Sequence, residues 1–261
     1  MLNKIRESIE KNKEKNVFWR NLKKGKNLMG VVFKGKSFGP SKKKQIKFCK
    51  RFIKENDLVF DVGANHGLKT NLFLNCGAKV IAIEPQKKCI ERLKKKYKKN
   101  KNVIIVGRGL SSKEERKTMF ISDSDAISTF TDKWTSGRFT NCAKWDGREE
   151  VELITIESLI QKHGLPNYCK IDVEGFELEV IKGLISKIPL ISFEFTEEFF
   201  DDTIKIINKL YKKGYKKFNY VEKSNLNFEN KIWLSKDEFI LDLKDKINPK
   251  RKEFWGDIYA R

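Results

Sequence analysis

Short apolar runs alternate with amphipathic stretches along most of the chain. Leu58–Val62 reads as a buried strand with a helix over 65–75 behind it, and 80–83 as a second strand followed by a lysine-rich helix over 86–98. Val103–Val106, 168–173 and 190–195 continue the series as third, fourth and fifth strands. Helices are predicted over Ile156–His163, 177–186 and 199–213. Strands separated by segments of helical length form right-handed βαβ units in a mostly parallel sheet. Residues 117–121 and 151–156 read as edge strands flanking a polar, aromatic-dotted stretch. The tail adds strands at 215–221 and 256–260 around a helix near 236–244. The predicted fold class is α/β, doubly wound and mostly parallel.

Composition narrows the class. A chain of 261 residues buries a proper core as one α/β domain with an extension. No stretch approaches the roughly 18 consecutive apolar residues that span a bilayer. The first 30 residues hold Lys, Asn and Glu without the apolar centre of a secretory signal. Five scattered cysteines without a CxxC pair argue for reduced thiols, against a disulfide framework and against a zinc site. A cytoplasmic protein with no membrane span is expected.

The net charge of +21 raises a nucleic-acid reading, and it is unevenly placed. Residues 1–54 carry 18 Lys/Arg against 3 Glu, so they form a basic N-terminal extension ahead of a domain over 55–261. Of the 56 basic residues 46 are lysine, and no recognition motif accompanies them, so a solvated lysine surface is the simpler account.

The chemistry sits after the first strand, in DVGANHG at 61–67. A glycine-rich turn at the carboxyl end of the first strand of such a sheet is a cofactor cradle. The dinucleotide pattern G-x-G-x-x-G is absent, and Asp61 would repel a pyrophosphate, which disfavours NAD and FAD. An acid before the glycines suits a cationic or zwitterionic ligand, and the amino group and sulfonium of S-adenosylmethionine meet that description. Glu84, 17 residues after Gly67 at the end of the second strand, stands where an acid accepts both ribose hydroxyls.

DVGANHG, AIEPQ at 82–86, YCKIDVEGFELEVIKGL at 168–184, ISFEF at 191–195 and GDIYA at 256–260 together resemble the motifs of FkbM-type methyltransferases. The resemblance implies the seven-stranded, Rossmann-like methyltransferase fold and S-adenosylmethionine as cofactor. It implies cofactor contacts at Asp61, Gly63, Asn65, Gly67 and Glu84, with the turn Gly109-Leu110-Ser111 bordering the adenine. It further implies an acceptor hydroxyl on a sugar, glycan or natural product, leaving open which.

Methyl transfer to a hydroxyl needs in-line placement and a base for the departing proton. Asp172 and Glu174 leave the fourth strand at the crevice, and Glu194 leaves the fifth beside it. If the strand persists to 174, Asp172 and Glu174 share its inward face. His66 on the cofactor loop is the rival base. Carboxylates on adjacent strand ends also suit a divalent metal, but nothing in their spacing demands one and none is assigned. The segment 122–150 holds Phe130, Trp134, Phe139 and Trp145 with Arg138. It reads either as an acceptor lid or as a plug over the sheet's open face. Two further readings remain: an RNA or protein methyltransferase recruited by the basic segment, and a catalytically silent binding subunit.

Overall fold

The computed structural model describes residues 40–136, 143–247 and 254–261, and the backbone of 32–33 and 36–37. Most of the basic extension, together with Arg138, Phe139 and Cys142, lies outside the described residues. In chain order the domain runs α1 (Lys42–Cys49), β1 (Leu58–Val62), α2 (Leu68–Leu74), β2 (Lys79–Ile83), α3 (Lys87–Tyr97) and β3 (Val103–Val106). It continues through β4 (Gly109–Leu110), β5 (Glu115–Ile121), α4 (Asp132–Thr135), β6 (Gly147–Ile154), α5 (Ile156–His163) and β7 (Tyr168–Ile171). The rest is α6 (Glu177–Lys182), β8 (Leu190–Thr196), α7 (Phe200–Lys212), β9 (Phe218–Glu222), α8 (Lys236–Lys246) and β10 (Trp255–Ala260).

The main sheet has seven strands in the order β9-β10-β8-β7-β1-β2-β3, with β10 antiparallel to both its neighbours. Its central strands β1, β2 and β7 are buried almost throughout, which is why they read as continuous apolar runs rather than alternating ones. Helices α5 to α8 cover one face through Leu159, Val180, Ile207 and Phe239. On the other face Phe48, Cys49 and Ile53 pack with Val59, Phe73, Tyr168 and Tyr259. The charge-based boundary at 54 therefore cuts through packed structure. Helix α1 carries lysines on its outside and buries its apolar residues in the core.

Three local differences from the sequence reading matter for the site. Strands β5 and β6 are not edges of the main sheet; with β4 they make a separate three-stranded sheet, β4-β6-β5. Their inward residues Met119, Val151 and Leu153 pack on Phe130 and Phe176. Strand β7 ends at Ile171 because Glu174 (φ 55°) and Gly175 (φ 90°) turn the chain out of extended geometry. Helix α2 starts at Leu68, since Asn65 (φ 46°) and Gly67 (φ 71°) are left-handed and incompatible with a helix.

The loop after β1 presses directly on the end of β7. A Cβ at Gly63 would lie 1.7 Å from the Asp172 carbonyl oxygen, and its φ of 81° is itself a glycine conformation. Gly63→Ala is expected to lower stability by about 3 kcal/mol or more, combining backbone strain with overlap that only a shift of β7 relieves. Thermal unfolding checks this, and a melting temperature within a degree or so of the parent would contradict it.

Candidate active site

The glycine loop after β1 is built from backbone bonds. The amides of Gly63 and Ala64 both donate to the Ile83 carbonyl, at 3.0 Å each, which folds the loop over the end of β2. Glu84 lies there almost fully buried. Its carboxylate accepts the Asn65 amide at 2.7 Å and the Gln86 amide at 2.9 Å. Burial pushes the Glu84 carboxyl up to about 7 despite those two donors. Asp61 accepts the Thr70 hydroxyl at 2.5 Å beneath the loop, and burial raises its carboxyl above the usual range. Gly67 packs on Leu93 and Tyr97, with the Tyr97 hydroxyl donating to its carbonyl at 2.8 Å.

A cavity of about 370 Å³ opens above this loop. Gly63, Asn65, Glu84 and Leu110 line it, as do His66, Asp172, Glu174 and Glu194. Asp61, Gly67 and Ser111 stand outside that lining. Asp61 and Gly67 shape the loop from below, and the Ser111 hydroxyl donates to Glu115 at 3.1 Å. Sequence reasoning passed over Gln86, Asp125, Lys69, Lys223 and Trp255, which also line the cavity. Gln86 was legible as the last residue of AIEPQ. Lys69 stands two residues after the DVGANHG motif, and the other three come from distant segments that carry no local signal.

Asp125 fastens the segment after β5 onto the cofactor loop. Its carbonyl accepts the side-chain amides of Asn65 (3.0 Å) and Gln86 (2.9 Å). Its carboxylate pairs with Lys88 at 3.0 Å, Arg92 at 3.1 Å and His66 at 3.2 Å. Burial and the Arg92 charge hold the His66 imidazole below its ordinary value, against the pull of Asp125. His66 is thus a member of the clasp. Phe130 and Trp134 are buried, with rings 5.3 Å from Phe176 and 5.4 Å from Phe199. They are packed walls that touch the cavity at their edges.

At the other end, carboxylate oxygens of Asp172, Glu174 and Glu194 all lie within 4.8 Å of one another. The left-handed turn at Glu174, not a continuing strand, brings it to Asp172. Glu177 accepts the Val173 amide at 2.9 Å and the Thr129 hydroxyl donates to the Glu174 carbonyl at 2.8 Å, so the turn is pinned from both sides. Burial, then the charges of Asp172 and Glu174, raise the Glu194 carboxyl well above the carboxylate range. Lys170, buried on β7, donates to Asp172 at 2.5 Å and lies 3.8 Å from Asp257. Burial pushes its amine down, and Asp172 and Asp257 together more than offset that. Three such carboxylates also have the donor chemistry to hold a divalent cation.

Residues 61–217 match the model of the methyltransferase FkbM domain. The hexuronic acid methyltransferase AglP of Haloferax volcanii is 28% identical over 146 residues, spanning 55% of this chain and 56% of that protein. Among solved structures, a precorrin-6y C5,15-methyltransferase from Geobacter metallireducens is similar at a TM-score of 0.44 and 13% identity, covering 84% of this chain and 86% of that one. An S-adenosylmethionine-dependent O-methyltransferase from Thermotoga maritima gives 0.42 and 10%, covering 94% and 71%.

The raised Glu84 carboxyl has two consequences with opposite signs. A carboxyl shifted from 4.5 to about 7 favours the fold fully below pH 4.5 and loses that contribution as pH rises through 7. Ribose hydroxyls, in contrast, donate best to the ionised form. Affinity for methylthioadenosine, which has no amino-acid group titrating near neutrality, is expected to rise about tenfold from pH 6 to 8. Glu84→Gln removes that dependence. Calorimetry across this range checks it, and a flat wild-type profile would contradict it.

Proposed function

Because the chain belongs to the FkbM methyltransferase family, whose methyl donor is S-adenosylmethionine, we propose that it methylates a hydroxyl of a sugar or glycan. The observation that carries this reading is one cavity joining a ribose-accepting carboxylate, Glu84, to the cluster of Asp172, Glu174 and Glu194. The buried Glu84 suits the cofactor. Its oxygens are oriented by two backbone amides, and carboxylate oxygens have acceptor capacity to spare for hydroxyls. Activity on a sugar in the relative AglP supports the acceptor class.

When bound, the cofactor supplies an electrophilic sulfonium methyl. The chain's part is placement and proton removal. Asp172, oriented by Lys170, would accept the proton of the acceptor hydroxyl as that oxygen takes the methyl group the cofactor would supply. Glu194, its carboxyl raised by burial and by the charges of Asp172 and Glu174, stands beside Asp172 to hydrogen-bond the acceptor. The walls formed by Phe130, Trp134 and the Asp125 clasp keep water from competing as a nucleophile. His66, engaged by Asp125 and Arg92, takes no proton in this scheme.

The test is binding of S-adenosylmethionine by calorimetry, followed by transfer of its labelled methyl to a panel of monosaccharides and oligosaccharides. Asp172→Asn is expected to keep cofactor affinity and reduce single-turnover transfer roughly 10²–10⁴-fold, the range for a lost general base. His66→Gln is expected to change it only a few-fold. No cofactor binding, or near-normal transfer in Asp172→Asn beside an inactive His66→Gln, would overturn the assignment.

A further inference from the structure

Charge is divided unequally between the two faces of the main sheet. Val80 packs with residues of α1 and α2, and Ala82, two residues on, with Leu93 and Tyr97 of α3, so these three helices cover one face. Together they carry 11 Lys/Arg and one acid, Glu91, a net +10. Helices α5 to α8 on the opposite face carry 8 Lys and 9 Asp/Glu, a net −1. A lysine-rich composition loads both faces alike. What sets the first apart is that acids are missing beside its lysines.

The three helices form one surface. Helix α1 packs on α2, and Leu93 and Tyr97 of α3 lie against Gly67 at the head of α2. Burial and then the charge of Lys42 on α1 lower the Lys96 amine on α3, which shows how near the two basic helices come. Among the described residues, only Lys88 and Arg92 of the eleven are held in ion pairs, both by Asp125. Lys43, Lys44, Lys47, Lys94 and Lys95 stand exposed. The 39 residues ahead of Pro40 add 11 Lys/Arg and 3 Glu, a surplus of the same sign that brings no neutralising charge. Like charges gathered this way repel one another and favour an anionic partner.

The composition of the face selects among polyanions. Ten of its eleven cations are lysine, which lacks the planar fork that arginine offers a nucleic-acid phosphate. Phe48 and Tyr97, aromatic residues of α1 and α3, are buried, so they give bases no stacking platform. An anionic lipid surface asks for neither device, since it attracts delocalised lysine charge and accepts apolar side chains between its headgroups. Leu68, the first residue of α2, is 44% exposed and also lines the cavity.

We propose that the face formed by α1, α2 and α3 docks this protein on a membrane surface rich in anionic lipid, with Leu68 and the adjoining edge of the cavity against it. Docking is peripheral, since among the described residues no helix is long and apolar enough to cross a membrane. Each cation near such a surface contributes about fivefold to partitioning, so several together outweigh the cost of confinement.

The experiment is sedimentation of the full chain with vesicles of phosphatidylcholine, alone or with about 30% phosphatidylglycerol, at about 0.15 M salt. Binding to the anionic vesicles is expected to exceed binding to the neutral ones about tenfold or more, and to fall steeply by about 0.5 M salt. Combining Lys43→Gln, Lys44→Gln, Lys47→Gln, Lys94→Gln and Lys95→Gln should weaken it about tenfold or more. An equal loss of charge on the opposite face, through Lys162→Gln, Lys205→Gln, Lys209→Gln, Lys212→Gln and Lys244→Gln, should leave it within about threefold of the parent. All ten side chains are exposed and off the cavity lining, so both variants are expected to melt within a few degrees of the parent. Equal binding to neutral and anionic vesicles overturns the proposal. So does a preference that survives the five substitutions on α1 and α3, or an equal loss from the opposite-face variant. Release from anionic vesicles by RNA added at equal total charge overturns the choice of partner. The assay reads binding alone, so its outcome is independent of which acceptor is methylated.

Discussion

The site depends on one close approach. The backbone of the loop after β1 lies against the carbonyl of Asp172 so tightly that a single added carbon at Gly63 would sit inside bonding distance of it. This contact fixes the loop after β1 relative to the end of β7, and so fixes the spacing between Glu84 and the acidic cluster. In-line transfer tolerates little error in that spacing. The left-handed residues Gly63, Asn65 and Gly67 on one side, and Glu174 and Gly175 on the other, are the conformations that let two loops meet so closely.

Around this contact the structure buries more acid than a core normally holds. Asp61, Glu84, Glu177 and Glu194 are all raised by burial, and Lys170 is the buried cation set against them. Each has assigned partners or a role: Asp61 braces the loop through Thr70, Glu177 pins the turn after β7, and Lys170 orients Asp172. Such an arrangement lowers the stability of the empty protein near neutral pH and places groups of altered acidity where a ligand will meet them. Asp125 works differently. It lies at the edge, and through Lys88, Arg92, the His66 imidazole and two side-chain amides it ties the segment after β5 to the glycine loop.

Much of the fold was legible because its strands are either wholly buried or plainly alternating. Leu58–Val62 and Val103–Val106 stand in the sequence as they do in the structure, and a seven-stranded, mostly parallel sheet is expected from the βαβ rhythm and the family resemblance. What the pattern missed was long-range. The β5–β6 hairpin alternates as an edge strand does, and nothing local says that it leaves the main sheet. The lysines of α1 hid the apolar face that joins the core at Phe48 and Cys49. At the site, Gly63, Asn65 and Glu84 were readable from one motif and one strand end. Asp61 reads in the sequence as a cofactor contact, whereas in the structure it braces the loop through Thr70 and stands outside the cavity lining. Asp125, Lys223 and Trp255 were not readable, because only the fold brings them to the cavity. Glu174 reached it by a turn, where alternation had suggested a strand.

The central claim is that the cofactor's reactive end lies between Glu84 and the Asp172–Glu194 cluster. A crystal structure with bound S-adenosylhomocysteine tests it most directly. The account predicts both ribose hydroxyls on the Glu84 carboxylate and the sulfur facing Asp172 and Glu194. A ribose seated away from Glu84, or a sulfur directed toward His66 and Asp125, would contradict it.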